Sequence, residues 1–151
     1  MEERTELTDG LAQLYGRQNV VTDPQEIANN EKLIAVVEDD IHLATLFQDL
    51  LQLEDHWRLH IFNDGQSAKD QIPELAPHLI LLDVGLPGLD GASLFKILRG
   101  HSNTKNTPII VITASHDSEL HRMGLQSGFL LRKPFQMQEL LFMVRALLCK
   151  T

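Results

Sequence analysis

The sequence HLILLDVGLPGLDG, residues 78–91, runs from an unbroken apolar stretch to one carboxylate, Asp83, and then into a loop that contains Pro87 and glycines. An apolar run of this length between turn residues is typical of a strand buried on both faces of a parallel sheet. Because ligands in such sheets bind just beyond the carboxyl ends of the strands, Asp83 is a candidate functional residue. An aspartate that only ends a strand or caps a turn explains this stretch equally well.

The composition is that of one folded domain with an appendage. The chain has 151 residues, of which 43% are hydrophobic, and this content is enough for a core. The net charge of −8 argues against direct binding of nucleic acid, because phosphate contacts need a basic surface.

Nothing in the sequence predicts membrane insertion or export. No apolar run approaches the roughly 20 residues that span a bilayer, and the N-terminus lacks the apolar segment of a signal peptide. The only cysteine, Cys149, excludes an internal disulfide and fits a reducing cytoplasm. We expect Cys149 to pack within the last helix rather than to react.

Residues 1–30 form a separate N-terminal extension that is predicted to be partly helical. Leu7, Leu11, Leu14 and Tyr15 have the spacing of one helical face, and Asp23-Pro24 has the form of a helix start. The extension is either a polar arm that packs loosely on the domain or a helix for docking or homodimer formation.

From residue 31 onward, apolar stretches alternate with segments of helical periodicity. The predicted strands cover residues 33–37, 57–62, 78–83, 108–112 and 129–131. The predicted helices cover residues 41–54, 66–75, 92–98, 117–126 and 136–150, with Asp40 capping the first, Pro73 interrupting the second and Gly128 ending the fourth. This alternation predicts an α/β fold, a (βα)5 doubly wound, parallel five-stranded sheet with the flavodoxin-like order 2-1-3-4-5.

Polar residues follow four of the predicted strands. Glu38 and Asp39 follow the first strand, Asp83 ends the third, Thr113 follows the fourth and Lys133 follows the fifth. The predicted order places strands one and three side by side, so the three carboxylates converge and need a counter-charge. Oxygen ligands of this charge suit Mg²⁺, and a carboxylate beside the metal can attack phosphorus.

Four motifs together resemble the receiver domain of two-component response regulators, over residues 31–151. They are Val-Val-Glu38-Asp39-Asp40, Leu-Ile-Leu-Leu-Asp83-Val-Gly-Leu-Pro-Gly-Leu-Asp-Gly, Ile-Thr113-Ala114 and Lys133-Pro134-Phe135. Each motif is weak alone, but they occur in order and each stands at a predicted strand end. The sequence ends after the fifth predicted helix, as in single-domain, chemotaxis-regulator-like receivers; the alternative is one receiver cut from a longer protein.

The resemblance implies a phosphoacceptor in a His-to-Asp phosphorelay. Asp83 would take a phosphoryl group from a phosphohistidine on a sensor histidine kinase or a histidine phosphotransfer protein, in a Mg²⁺-dependent reaction. A downstream protein partner, or a domain absent from this chain, would read the change. The expected chemistry is self-phosphorylation and self-dephosphorylation, so the chain is not expected to be an enzyme acting on other substrates.

The resemblance also implies the roles of the neighbouring residues. The acceptor carboxylate, Asp39 and the carbonyl of Gly85 would bind Mg²⁺ directly, and Glu38 would act through water. Thr113 and Lys133 would contact the phosphoryl group.

The region that receivers use as a switch departs from the family pattern. Receivers usually carry an aromatic residue three positions before the lysine, and that position is Leu130 here. Phe129 is adjacent, but alternation along a strand directs it to the opposite face. Ala114 and Pro134 belong to the same region, and the bond before Pro134 is usually cis in this family.

A second departure is Gly85, which stands two residues after Asp83 where larger side chains are common in receivers. With no side chain there, Asp83 is expected to be more open to water and to the phosphoryl donor.

Two rival functions remain open at the level of the sequence. The first is a receiver-like scaffold that binds partners without phosphorylation, which the residue Leu130 favours. The second is an aspartate-nucleophile phosphatase of the haloacid dehalogenase type, which needs a second aspartate where this chain has Gly85. The seven histidines show no metal-binding spacing and are expected at the surface or in packing.

Overall fold

The computed structural model describes residues 30–125 and 128–149. The chain divides into two compact units, Met1–Glu31 and Lys32–Thr151, and the fold described below is that of the second. The helices expected within residues 1–29 lie outside the described residues.

The second unit is an alternating α/β fold with one five-stranded sheet. Its strands are β1 (Lys32–Val37), β2 (Trp57–Phe62), β3 (Leu79–Asp83), β4 (Ile109–Thr113) and β5 (Phe129–Arg132). Its helices are α1 (Ile41–Leu51), α2 (Gly65–Leu75), α3 (Gly91–Gly100), α4 (Asp117–Met123) and α5 (Met137–Leu148). The strands are parallel in the order β2-β1-β3-β4-β5, which confirms the predicted fold class and strand order.

Helices cover both faces of the sheet, which explains why the sequence of the central strand β3 is continuously apolar. All five residues of β3 are buried. Ile80 and Leu82 pack in the core cluster on the side of α2, α3 and α4, whereas Leu79 and Leu81 pack in the cluster on the side of α1 and α5. A central strand between two helical layers has no solvent face, so it carries no polar alternation.

Three aspartates at the carboxyl edge of the sheet are helix N-caps. Asp40, Asp64 and Asp90 accept the backbone N–H of His42 at 2.9 Å, of Ser67 at 2.7 Å and of Ser93 at 2.8 Å, respectively. These N–H donors lower the pKa of Asp64 and of Asp90, because they stabilise the charged carboxylates.

The second and fourth helices differ from the sequence prediction. Pro73 does not interrupt α2, since it is buried within a helix that continues to Leu75. The helix α4 ends at Met123, followed by Gly124 in the left-handed conformation at φ 74°, so Gly124 rather than Gly128 ends it. A Cβ on Gly128 would lie 2.9 Å from Val111 Cγ2, so this glycine allows close packing at the start of β5.

Two further expectations are corrected near the ends of helices. The helix α1 ends at Leu51, three residues before the predicted boundary, and the chain then turns towards β2. Cys149 is exposed beyond the last turn of α5 and does not pack in the core. Among the described residues, no helix has the length and apolar content needed to cross a bilayer.

Candidate functional site

The carboxyl ends of β1 and β3 bring three carboxylates together. The two strands are paired in parallel with Val37 opposite Leu82, so the residues that follow them meet at one edge of the sheet. Glu38, Asp39 and Asp83 each offer a carboxylate oxygen, and these oxygens lie within 4.8 Å of one another. Glu38 and Asp83 are buried, at 1% and 5% exposure, whereas Asp39 is exposed. The convergence predicted from strand order is therefore present.

Asp83 has a separate partner for each of its carboxylate oxygens. The backbone N–H of Gly85 donates to Oδ1 at 2.8 Å, and the ammonium of Lys133 lies 3.1 Å from Oδ2. Lys133 directly follows β5, and its own N–H donates to the carbonyl of Thr113 at the end of β4 at 2.8 Å, which anchors its backbone to the neighbouring strand. The Lys133–Pro134 bond is cis. These contacts fix the direction in which the Asp83 carboxylate points.

Glu38 is the most buried carboxylate of the cluster, and it lacks a full set of partners. Its Oε1 accepts the backbone N–H of Asp40 at 3.1 Å, but its Oε2 is buried without a hydrogen bond. Burial, and then the neighbouring Asp83 carboxyl, raise the pKa of Glu38 to about 8, against the opposing effects of the Asp40 N–H and the Lys133 ammonium. A buried, unpartnered oxygen of this kind needs a cation, a proton or an ordered water.

The donor set fits Mg²⁺. It consists of carboxylate oxygens, which are the ligands of hard divalent cations, and it includes the unpartnered Oε2 of Glu38. Lys133 is the one ammonium in contact with the cluster among the hydrogen bonds and ion pairs described, so a divalent cation would balance the remaining charge. Glu38, Asp39 and Asp83 would hold the ion.

Thr113 stands at the end of β4, beside the strand that carries Asp83. Its side chain is buried, at 2% exposure, and its Oγ accepts the N–H of Ser115 at 2.9 Å. Because the oxygen acts as an acceptor in this bond, the hydroxyl proton can be donated to another oxygen. Ser115 was not singled out from the sequence, since only the loop geometry reveals that it holds Thr113.

The residues of the expected switch region are partly buried or exposed, and none of them is a buried aromatic residue. Leu130 is partly buried and packs on the side of α2, α3 and α4, whereas its neighbour Leu131 packs on the opposite face. Phe129 is 46% exposed, and Ala114 and Pro134 are also exposed. The structure therefore provides no buried aromatic side chain at the position where receivers usually have one.

Two glycines at this edge were not predicted to have a role. A Cβ on Gly65 would lie 2.3 Å from the carbonyl oxygen of Leu89, and a Cβ on Gly91 would lie 2.5 Å from the carbonyl oxygen of Asp83. The sequence signal is limited to the Asp-Gly dipeptides at 64–65 and 90–91, which indicate turns or helix starts but not such contacts.

Comparisons with known proteins agree with this geometry. A family model described as the response regulator receiver domain matches residues 34–145. The DNA-binding response regulator MtrA of Mycobacterium tuberculosis (strain ATCC 25618 / H37Rv) is 38% identical over 115 residues, which are 75% of this chain and 49% of MtrA. The transcriptional regulatory protein CpxR of Escherichia coli (strain K12) is 38% identical over 118 residues, which are 76% of this chain and 48% of CpxR. The chain thus spans about half the length of these curated relatives.

A solved structure also resembles this fold. The receiver domain of a sensor histidine kinase from Pseudomonas aeruginosa PAO1 aligns with a TM-score of 0.71 and 29% identity, over 80% of this chain and 99% of that one. That structure is described as having a magnesium ion coordinated in its active site cleft.

Proposed function

The chain belongs to the response regulator receiver domain family, and from this membership we propose that it is a phosphoacceptor in a two-component phosphorelay. Asp83 accepts a phosphoryl group from a phosphohistidine on a sensor histidine kinase or a histidine phosphotransfer protein. The observation that carries this proposal is the placement of Asp83, whose buried carboxylate lies between the Gly85 N–H, the Lys133 ammonium and two further carboxylates.

The transfer step follows from these contacts. A carboxylate oxygen of Asp83 attacks phosphorus, a phosphorus–oxygen bond forms and the phosphorus–nitrogen bond to the donor imidazole breaks. The imidazole nitrogen leaves with the electron pair of that bond and takes up a proton. The Gly85 N–H at Oδ1 and Lys133 at Oδ2 orient the nucleophile before the step, so little reorganisation is needed.

The other groups of the site balance the negative charge of the carboxylates and of the phosphoryl oxygens. Mg²⁺, held by Glu38, Asp39 and Asp83, with the Gly85 carbonyl, would neutralise the carboxylates and the oxygens of the incoming phosphoryl group. The ammonium of Lys133 contacts the oxygens of the transferred group because it already lies against the acceptor.

Readout begins at Thr113. Donation of its hydroxyl proton to a phosphoryl oxygen draws the side chain towards Asp83 and weakens the bond that it accepts from Ser115 at 2.9 Å. The loop after β4 then changes position, and a partner protein, or a domain beyond this sequence, binds the changed surface. We place this chemistry in the cytoplasm and limit it to self-phosphorylation and self-dephosphorylation.

The test is the intact mass of the protein after incubation with acetyl phosphate and Mg²⁺. We expect a phosphoryl adduct on the wild type, its loss in Asp83→Asn, and its loss when a chelator removes the metal. Asp90→Asn is the matched control, because Asp90 undergoes the same chemical change but serves as the cap of α3, a role that asparagine can also fill. This control should be phosphorylated like the wild type.

The alternative is a receiver-like scaffold that binds partners without phosphorylation, and the observation that favours it is Leu130 in place of the usual aromatic residue. Under this alternative, neither acetyl phosphate nor a phosphorylated histidine donor produces an adduct on the wild type.

A further inference from the structure

The first residue of α2 closely approaches the loop that follows the acceptor strand. Gly65 is buried, and a Cβ built on it would lie 2.3 Å from the carbonyl oxygen of Leu89 and 3.2 Å from Leu89 Cβ. Real side chains do not make contacts of 2.3 Å, and the atom that would be met belongs to the backbone. Any side chain at position 65 therefore requires the helix or the loop to move.

The loop in question, residues 84–90, begins directly after Asp83. Gly85 within it donates its N–H to the Asp83 carboxylate at 2.8 Å. The far end of the loop is also closely packed, because a Cβ on Gly91 would lie 2.5 Å from both the Asp83 carbonyl oxygen and Val84 Cα. The position of this loop thus determines where the Gly85 amide lies relative to Asp83.

The helix α2 is less free to move than the loop. Its N-terminus is capped by Asp64, which accepts the N–H and the hydroxyl of Ser67 at 2.7 and 2.9 Å. Ala68 and Ile72 of α2 are fully buried against the sheet, whereas Leu89 is only partly buried. A methyl group added at position 65 would therefore displace the loop rather than the helix.

We propose that Gly65 is a positioning residue for the acceptor site. By having no side chain, it lets the loop of residues 84–90 pack directly on α2 and so holds the Gly85 amide and carbonyl beside Asp83. Gly65 touches neither the phosphoryl group nor the metal, and it acts through Leu89. The effect of this inference on phosphorylation rests on the proposed function, but the placement of the Gly85 amide can be tested separately.

The experiment compares Gly65→Ala with Gly100→Ala in the full chain. Gly100 ends α3, and a Cβ there meets no atom within 4 Å, so it is a matched control for the same substitution. The readouts are the Gly85 amide resonance and its hydrogen exchange in the metal-free protein, and the Mg²⁺ dissociation constant from calorimetry. In Gly65→Ala we expect the Gly85 amide to shift and to exchange faster, and Mg²⁺ to bind about threefold to tenfold more weakly. Gly100→Ala should match the wild type in all three.

An unchanged Gly85 amide and an unchanged Mg²⁺ dissociation constant in Gly65→Ala would overturn the proposal, even if the variant is less stable, because Gly65 would then serve packing alone. If Gly65→Ala does not fold, Leu89→Gly takes its place, since it removes Leu89 Cβ, the side-chain atom that lies nearest to position 65, and frees the backbone of the loop at the same contact. Unaltered Mg²⁺ binding in Leu89→Gly would overturn the proposal equally.

The two proposals fail in different ways. A wild type that takes no phosphoryl group, combined with an altered Gly85 amide in Gly65→Ala, would refute phosphoacceptor function and keep Gly65 as a positioning residue. A phosphorylated wild type, combined with an unperturbed Gly85 amide in Gly65→Ala, would support phosphoacceptor function and refute the positioning role of Gly65.

Discussion

At the scale of single residues, the aspartates at the carboxyl edge of the sheet differ by the partners of their oxygens. Asp40, Asp64 and Asp90 accept N–H groups of the first turns of helices, which ties their charge to helix formation. Asp83 instead meets the Lys133 ammonium and two other carboxylates. Among these four aspartates, the carboxylate available for chemistry is therefore the one that no helix uses.

Gly85 controls how open that carboxylate is. It is exposed, and a Cβ there would lie 3.5 Å from Asp83 Oδ1, which is an ordinary van der Waals contact. A side chain at this position is therefore accommodated and shields the aspartyl phosphate from water. In Gly85→Met we expect the phosphoryl group to persist about threefold to tenfold longer, equivalent to about 1 kcal/mol in the hydrolysis barrier.

The measurement is the decay of the phosphorylated form, followed by intact mass after removal of the donor. Gly100→Met is the control, because a side chain at the end of α3 meets open space far along the chain from Asp83. Equal lifetimes of the wild type and Gly85→Met would contradict the shielding argument.

At the scale of the elements, the bounds of the strands were predicted more accurately than the ends of the helices. Each predicted strand lies within one residue of the observed one at both ends, because apolar runs between polar or turn residues leave little choice of boundary. The end of α4 was predicted three residues too late because Gly124 and Gly128 both qualify as C-caps from sequence. The close packing of Gly128 against Val111, which gives this glycine its role, depends on a contact between strands that the sequence does not contain.

The site likewise has features that the sequence predicts and features that depend on tertiary contacts. The convergence of Glu38, Asp39 and Asp83 follows from strand order alone, so it could be predicted. The contacts of Thr113 with Ser115 and of Gly65 with Leu89 depend on the paths of loops, and no pattern of residue types specifies them.

The starts of β1 and β3 are joined by a histidine, and we expect its hydrogen bond to make their pairing sensitive to pH. His78 donates its backbone N–H to the Leu33 carbonyl at 2.8 Å, and its Nδ1 accepts the Leu33 N–H at 3.0 Å. Burial, and then the charge of Lys32, lower the pKa of His78 below its usual 6.5, so the folded chain favours the neutral ring. The stabilising contribution of His78 is therefore complete above pH 6.5 and is lost as the pH falls through the lowered pKa.

We expect His78→Asn to remove this pH dependence while keeping the bond, because the amide oxygen of asparagine can accept the Leu33 N–H and does not titrate. The free energy of unfolding, measured in urea from pH 7.5 to about 5, should fall less in His78→Asn than in the wild type. Above pH 6.5, His78→Ala should be up to about 1 kcal/mol less stable than the wild type, because the Leu33 N–H then has only water as its partner, and this difference should shrink as the pH falls. Parallel pH profiles of the wild type and His78→Asn would show that His78 does not link β1 to β3 in this way.

At the scale of the whole molecule, one sheet joins two core clusters and the site. The cluster on the side of α1 and α5 and the cluster on the side of α2, α3 and α4 share the central strands β1, β3 and β4. Because each central strand contributes alternate residues to both clusters, loss of either layer exposes the other face of the same strands. The carboxylates and Lys133 stand at the ends of these strands and of β5, so the site should form only when both layers are packed.

This architecture predicts the effect of removing the N-terminal unit. Among residues 30–125 and 128–149, which the structure describes, the members of both clusters and of the site lie within Lys32–Thr151, and the family match begins at residue 34. A chain that lacks residues 1–31 should therefore fold, retain its free energy of unfolding to within about 1 kcal/mol, the size of a single ordinary hydrogen bond, and accept a phosphoryl group at the wild-type rate.

Trp57, the only tryptophan, is buried at 7% exposure in the cluster on the side of α1 and α5, so its fluorescence in urea reports unfolding. The slope of the unfolding free energy against urea provides a second criterion, because it scales with the surface exposed on unfolding. An unchanged slope means that residues 1–31 do not unfold together with the domain, whereas a clear decrease in both slope and stability would make them part of the same cooperative unit. A longer deletion that also removes Lys32–Val37 is the control: it takes away β1, the strand between β2 and β3, and should leave no cooperative transition.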